Sequence, residues 1–144
     1  MKNITQALLK AQKEFPLIKK EDSNPFFKSK YAGLPSVLEV VLPILIKNEL
    51  LLTQSPITEG DRIGVETTIT HSSGEFITSK FTMNLAKNDP QGAGSAITYA
   101  RRYSLVSILG LNVDDDDDGN VASGKEITYK PKLTKDQAES FDPF

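Results

Sequence analysis

The sequence predicts an α+β fold in which two helices precede a three-stranded antiparallel sheet and a long third helix follows it. Apolar residues recur at helical spacing in three segments, and three short segments rich in β-branched residues lie between the second and the third. The length suits one domain, which we predict over residues 1–113. Residues 114–144 are predicted to be an acidic linker and a disordered, flexible C-terminal tail.

The first helix is predicted over residues 3–15. Its apolar positions fall on one helical face: Ile4, Leu8, Ala11 and Phe15. Asn3 and Gln6 have the spacing of a capping box. Pro16 is expected to end the helix, because the residue before a proline disfavours helical backbone. The second helix is expected to kink at Pro43, since proline lacks the N–H that the helical ladder needs.

The elements predicted in the second half are strands at 50–55, 62–70 and 75–83, a polar loop at 84–92 and a helix at 93–109. The tripeptide at 72–74, Ser-Ser-Gly, is predicted to be a hairpin turn, and Gly110 to end the last helix. Small residues form a stripe along this helix, which lets it lie close to a sheet: Ala93, Ala96, Ala100 and Ser104. At 100° per residue, Arg102 points away from the stripe and Arg101 lies on one flank.

Composition excludes several classes of protein. There are no cysteines, so disulfides, zinc fingers and thiol catalysis are excluded, and a single histidine, His71, limits any serine-histidine triad. No apolar run approaches the roughly 20 residues of a membrane helix, and no signal sequence is apparent. Residues 1–113 hold 13 basic and 10 acidic side chains, whereas residues 114–144 hold 4 and 9. A mildly basic body is compatible with nucleic acid despite the acidic total.

Two motifs in the acidic segment are incomplete. Gly119, Gly124 and Lys125 have the spacing of a phosphate-binding loop, but Glu126 stands where a Ser or Thr should hold magnesium. ATP hydrolysis is therefore not expected. The aspartates at 114–118 open like a calcium-binding loop, but Lys125 occupies the twelfth position, where a bidentate glutamate is needed.

Two segments, 26–31 and 98–103, interleave basic and aromatic residues. This chemistry neutralises phosphates and stacks on bases. The alternative is that the aromatic rings belong to the core and that the arginines make surface ion pairs. The glycine-bearing segment at 91–95 opens the last predicted helix. Its N–H groups either contact phosphate or belong to a tight turn.

In this order, the segments resemble the ERF family of phage single-strand annealing proteins. The matching residues are 24–32, 34–43, 50–54, 71–75, Gln91, 94–105 and 114–119. Where that family has a glycine closing the second helix, this chain has Asn48 and Glu49, and we expect Asn48 to take the left-handed conformation. The resemblance implies the β-β-β-α core of the wider annealing superfamily, which agrees with the order predicted here for residues 50–109.

The resemblance implies a non-enzymatic protein that binds single-stranded DNA and anneals complementary strands without ATP, in phage recombination in the host cytoplasm. It also implies ring or helical homo-oligomers, and no cofactor or membrane is expected. One rival is a passive single-strand coat that does not anneal. Another is a magnesium nuclease, for which consecutive aspartates are poorly placed.

The resemblance also directs the choice of DNA-binding residues. Phosphate contacts are expected from Arg101 and Arg102, with help from Lys28, Lys30 and Lys80. Stacking is expected from Tyr31, Tyr99 and Tyr103, and further contacts from Gln91, Gly92 and Gly94.

Two acidic features leave alternatives open. The aspartate run either binds magnesium, through Asp114, Asp116 and Asp118, or repels duplex product, or solubilises the end of the domain. The last residues, Phe141, Asp142, Pro143 and Phe144, resemble the tail tip of bacterial single-stranded-DNA-binding proteins. They are expected to recruit a host DNA-processing protein or to fold back on the basic surface, the alternative being an acidic end without a role.

Overall fold

The computed structural model describes residues 1–19, 22–23, 30–31 and 33–113. Its elements, in chain order, are helix α1 (Lys2–Glu14), strands β1 (Asp22–Ser23) and β2 (Lys30–Tyr31), helix α2 (Leu34–Lys47), strands β3 (Leu50–Glu59), β4 (Arg62–His71) and β5 (Phe76–Asn84), and helix α3 (Pro90–Leu109). The predicted α+β class is confirmed. The predicted tail at 114–144 lies outside the described residues. Within the described ranges, no helix is both long enough and apolar enough to cross a membrane.

The main sheet has the order β3-β4-β5 and is antiparallel throughout. Because side chains alternate along a strand, each strand presents one set of residues to each face. Val65, Thr67 and Ile69 of the central strand are fully buried on the face that α3 covers. The opposite face carries Leu51 and Phe76, which are both more than half exposed.

The core lies between the covered sheet face and the three helices. The predicted stripe of α3 is confirmed at Ala96, Ala100 and Ser104, which are buried. Small side chains let the helix backbone approach the sheet closely. The hydroxyls of Ser104 and Thr67 meet across this contact at 2.8 Å, so the two buried polar side chains satisfy one another.

Helix α1 begins one residue earlier than predicted, and its first turn is capped differently. No side chain of the helix start caps it, so the proposed Asn3 and Gln6 capping box is wrong. Instead, a carboxylate from the β4–β5 turn, Glu75, accepts the N–H of Ile4 at 3.0 Å. Although partial burial raises the pKa of Glu75, hydrogen bonds from the N-terminal amine, Ser73 and Ile4 outweigh that effect and lower it to about 2.

Helix α2 is continuous through Pro43 and ends at Lys47. The expectation for Asn48 is wrong: Asn48 has a φ of −95°, and the following residue, Glu49, takes the left-handed conformation with a φ of 60°. Asn48 contributes in another way, because its side-chain amide donates to the carbonyl of Ile44 at 2.8 Å. The helix is thus capped by a side chain, and the strained backbone falls on the following residue.

Candidate nucleic-acid interface

Helix α3 begins at Pro90, three residues before the predicted start, so Gln91 and Gly92 lie within the helix. Asp89 is the N-cap, and its Oδ1 accepts the N–H of Gly92 at 2.6 Å. Proline at the first helical position and an aspartate before it are a known start signal. At the other end Gly110 takes a φ of 63° and closes the helix, as predicted. These two ends fix the position of the residues between them.

Three exposed aromatic rings, which we call the aromatic ridge, lie side by side along α3 and β5. The rings of Tyr99 and Tyr103 are stacked, with centroids 6.3 Å apart, and Phe81 lies 6.2 Å from Tyr103. Tyr99 is 51% exposed, Tyr103 38% and Phe81 36%. The tyrosines are therefore not core residues, and the exposed part of each ring can contact a planar ligand.

Arg102 lies beside this ridge. Its guanidinium carbon is 4.6 Å from the centroid of the Tyr103 ring, a distance typical of a cation–π contact. Arg102 also lines a cavity of about 660 Å³ between α3 and the start of α2, which we call the α3 groove. The groove is lined by Gly33, Leu34, Pro35, Gln91, Gly94, Ser95, Thr98, Tyr99 and Arg102.

A second cavity, of about 340 Å³, lies on the β5 side of Tyr99. Its lining is Met83, Asn84, Ala86, Lys87, Gln91, Gly92, Ser95, Ala96 and Tyr99. Gln91, Ser95 and Tyr99 line both cavities. The exposed ring of Tyr99 therefore stands between two concave surfaces, one bordered by Lys87 and the other by Arg102.

Arg101 lies on the opposite flank of α3 from the tyrosines, facing β3. Its Nε donates to Oε1 of Gln54 at 3.2 Å, and the amide nitrogen of Gln54 donates back to the carbonyl of Arg101 at 3.0 Å. The same amide reaches the hydroxyl of Thr67 at 3.0 Å. Both arginines are half-buried, but the structure separates them: Arg102 is beside the aromatic ridge, whereas Arg101 is held against the sheet by Gln54.

The remaining predicted residues lie elsewhere or outside the description. Lys80 is on the exposed sheet face, on the far side from α3, with its Nζ 3.7 Å from Glu66. Lys30 and Tyr31 form β2, which pairs with β1, and the structure describes only their backbone. The following lie outside the described residues: Lys28, Asp114, Asp116, Asp118, Phe141, Asp142, Pro143 and Phe144.

The two glycines at the start of α3 differ in their surroundings. A side chain at Gly92 would collide with the carbonyl oxygen of Lys87, so this position requires glycine for packing. The N–H of Gly92 is already donated to Asp89, which favours the turn interpretation over phosphate binding at this amide. A β-carbon at Gly94 would meet nothing within 4 Å in the described part of the chain, although glycine inside a helix costs about 1 kcal/mol relative to alanine.

The comparison with protein families gives a match to the ERF superfamily over residues 4–142. The chain belongs to the ERF superfamily. It is 28% identical over 130 residues to the essential recombination function protein of Salmonella phage P22. That alignment covers 86% of this chain and 63% of the phage protein, so the chain spans less than two thirds of that relative's length. No solved structure matches.

In this ERF-superfamily chain, sequence reasoning missed two residues that shape the interface. Phe81 extends the aromatic ridge, and Gln54 holds Arg101. Neither residue lies in a basic and aromatic segment. One signal could have indicated Gln54: it is an amide at a position of β3 that faces the core, and a polar side chain on a buried face needs hydrogen-bond partners.

Proposed function

We propose that this chain binds single-stranded DNA along α3 and anneals complementary strands during phage recombination, without ATP and without a catalytic residue. Membership of the ERF superfamily and similarity to a protein named for essential recombination function support a recombination role. The observation that carries the proposal is the aromatic ridge beside Arg102. Successive exposed rings next to a guanidinium provide both base stacking and phosphate neutralisation.

Annealing in solution is slow because the two strands repel each other and because each strand forms internal structure. In our proposal, Arg102 reduces the repulsion by neutralising phosphates. Tyr99, Tyr103 and Phe81 stack on bases and hold the strand open, and such contacts tolerate any sequence. Base pairing alone then selects the partner strand.

Self-association is part of the proposal. The body of the chain, residues 1–113, has a net charge of only +3, so one copy provides few phosphate contacts. A ring or helical assembly would align many weak sites along one strand, and linked sites raise the effective concentration of each contact.

The test is fluorescent annealing of two complementary oligonucleotides by purified protein without ATP, with strand integrity checked on a gel. We expect faster duplex formation with intact strands. Binding without acceleration would favour the passive coat, and loss of input DNA in magnesium would favour the nuclease. Absence of binding at low salt, where phosphate contacts are strongest, would refute the proposal.

The arginines are tested separately and together. Arg102→Ala should weaken both binding and annealing, because it removes the cation beside the ridge. Arg101→Ala also removes the hydrogen bond to Gln54, so its thermal unfolding midpoint must be compared with that of Gln54→Ala. We expect the double variant to be folded and inactive. Wild-type annealing by a folded double variant would refute this assignment.

The C-terminal residues 136–144 are the subject of a separate proposal. Residues 136–144 contain Asp136, Glu139 and Asp142, and such a segment suits an apolar pocket rimmed by basic residues on a host DNA-processing protein. Removal of residues 136–144 should abolish capture of that partner or raise affinity for DNA. If neither changes, the segment has no such role.

A further inference from the structure

We propose that Gly94 is the point at which the sugar-phosphate backbone of single-stranded DNA comes closest to α3, so that the strand lies in the α3 groove. This inference rests on the proposed function and adds a residue whose role is to leave space. In this arrangement a phosphate lies at Arg102 and the neighbouring base lies on Tyr99.

The first argument is that neither packing against the residues that the structure describes nor backbone geometry gives a reason for glycine here. Gly94 lies inside α3 and its φ is not positive. An added β-carbon would meet no atom of the described residues within 4 Å. Gly92, two residues earlier, shows what a packing requirement looks like, because its β-carbon would strike the carbonyl of Lys87. A glycine that weakens its helix without such a reason suits close approach by a ligand.

The second argument is the place of Gly94 in the groove. Gly94, Thr98 and Arg102 follow one another at i, i+4 and i+8, so they form a line along α3 with steps of about 6 Å. All three line the α3 groove. The hydroxyl of Thr98 donates to the carbonyl of Gly94 at 3.1 Å and is thereby held against the helix. The groove thus runs from a position without a side chain to a guanidinium.

The third argument concerns which part of the strand lies at Gly94. Asp89 already accepts the N–H groups of Gly92 and Ala93, through its side chain and its carbonyl, so we place the anion at Arg102 and not at these two amides. Among the described lining residues, the cation is Arg102 and the stacking surface is Tyr99. A strand that has a phosphate at Arg102 and a base on Tyr99, and that continues along the groove past Thr98, passes over the bare helix surface at Gly94.

The experiment compares Gly94→Ala and Gly94→Leu with the wild-type chain, using anisotropy of a labelled oligothymidylate and thermal unfolding. Gly94→Ala should unfold at the same or a higher temperature, yet bind about tenfold more weakly, since added methyl groups in a filled contact are costly. Gly94→Leu should bind more weakly still. The control, Gly92→Ala, should lower the unfolding midpoint.

A double-mutant cycle separates lost contact from general disturbance. If Gly94 admits the same strand whose phosphate Arg102 binds, then Gly94→Ala should weaken binding much less in the Arg102→Ala background than alone. Full additivity would overturn the inference, as would wild-type affinity in both Gly94 variants or a fall in stability equal to that of Gly92→Ala. Wild-type protein that does not bind DNA would instead refute the proposed function, and this inference with it.

Discussion

Replacing Tyr99 with alanine is expected to weaken single-stranded DNA binding about 5- to 150-fold while leaving the fold intact. Tyr99 is 51% exposed and stands between the two cavities of the interface. Stacking of a base on an aromatic side chain contributes about 1–3 kcal/mol, and each 1.4 kcal/mol is about tenfold in Kd. The lost contact with Tyr103 should lower the free energy of unfolding by only about 0.5–1.5 kcal/mol.

The assay is anisotropy of a labelled oligothymidylate, with thermal unfolding measured on the same samples. Phe76 provides a matched control, because it is 57% exposed but lies on the sheet face opposite to α3. Phe76→Ala should bind DNA like the wild type. Equal losses in the two variants, or wild-type affinity in a folded Tyr99→Ala variant, would refute the assignment of the strand to the α3 side.

Three further predictions concern stability. Because the pKa of Glu75 in the folded chain is about 2, below its ordinary value of 4.5, its stabilising effect should be complete above pH 4.5 and lost as the pH falls towards 2. The difference in unfolding midpoint between wild type and Glu75→Gln should shrink over that range, and a constant difference would contradict it. Glu49→Gly should raise the free energy of unfolding by roughly 0.5–1 kcal/mol, since glycine removes the strain of a side chain on a left-handed backbone. A chemical denaturation curve with a lower midpoint would argue for an unrecognised role of the Glu49 side chain. Gly64→Ala should lower the free energy of unfolding by about 2 kcal/mol or more, because the added β-carbon would strike the carbonyl of Phe81 on β5. An unchanged denaturation curve would show that the two strands can move apart at no cost.

Local patterns predicted most of the fold. Alternation and β-branched residues placed the three main strands, although β3 runs on to Glu59, beyond the predicted end at 55. The small stripe of α3 correctly indicated the face that meets the sheet. The early start of α3 could also have been predicted, because Asp89 and Pro90 together are a helix start signal.

Other features depend on tertiary contacts that no local pattern contains. The carboxylate that caps α1 comes from a turn 71 residues later in the chain. The residues of the first helical turn therefore contain no sign of it. Helical geometry alone placed Arg101 on one flank of the small-residue stripe of α3 and Arg102 away from it. It could not show that β5 would bring Phe81 to the tyrosine side, or that β3 would bring Gln54 to Arg101, because that requires the position of the helix on the sheet.

The cap of α1 has a consequence for the order in which the chain folds during synthesis. Helix α1 is synthesised before the β4–β5 hairpin, which carries the carboxylate that completes the first turn of the helix. Until then the N–H groups of that turn must bond to water, and a short isolated helix is marginal in water. Helix α1 therefore gains this cap only when the β4–β5 hairpin is in place, so the stability of the helix start depends on the formation of the sheet.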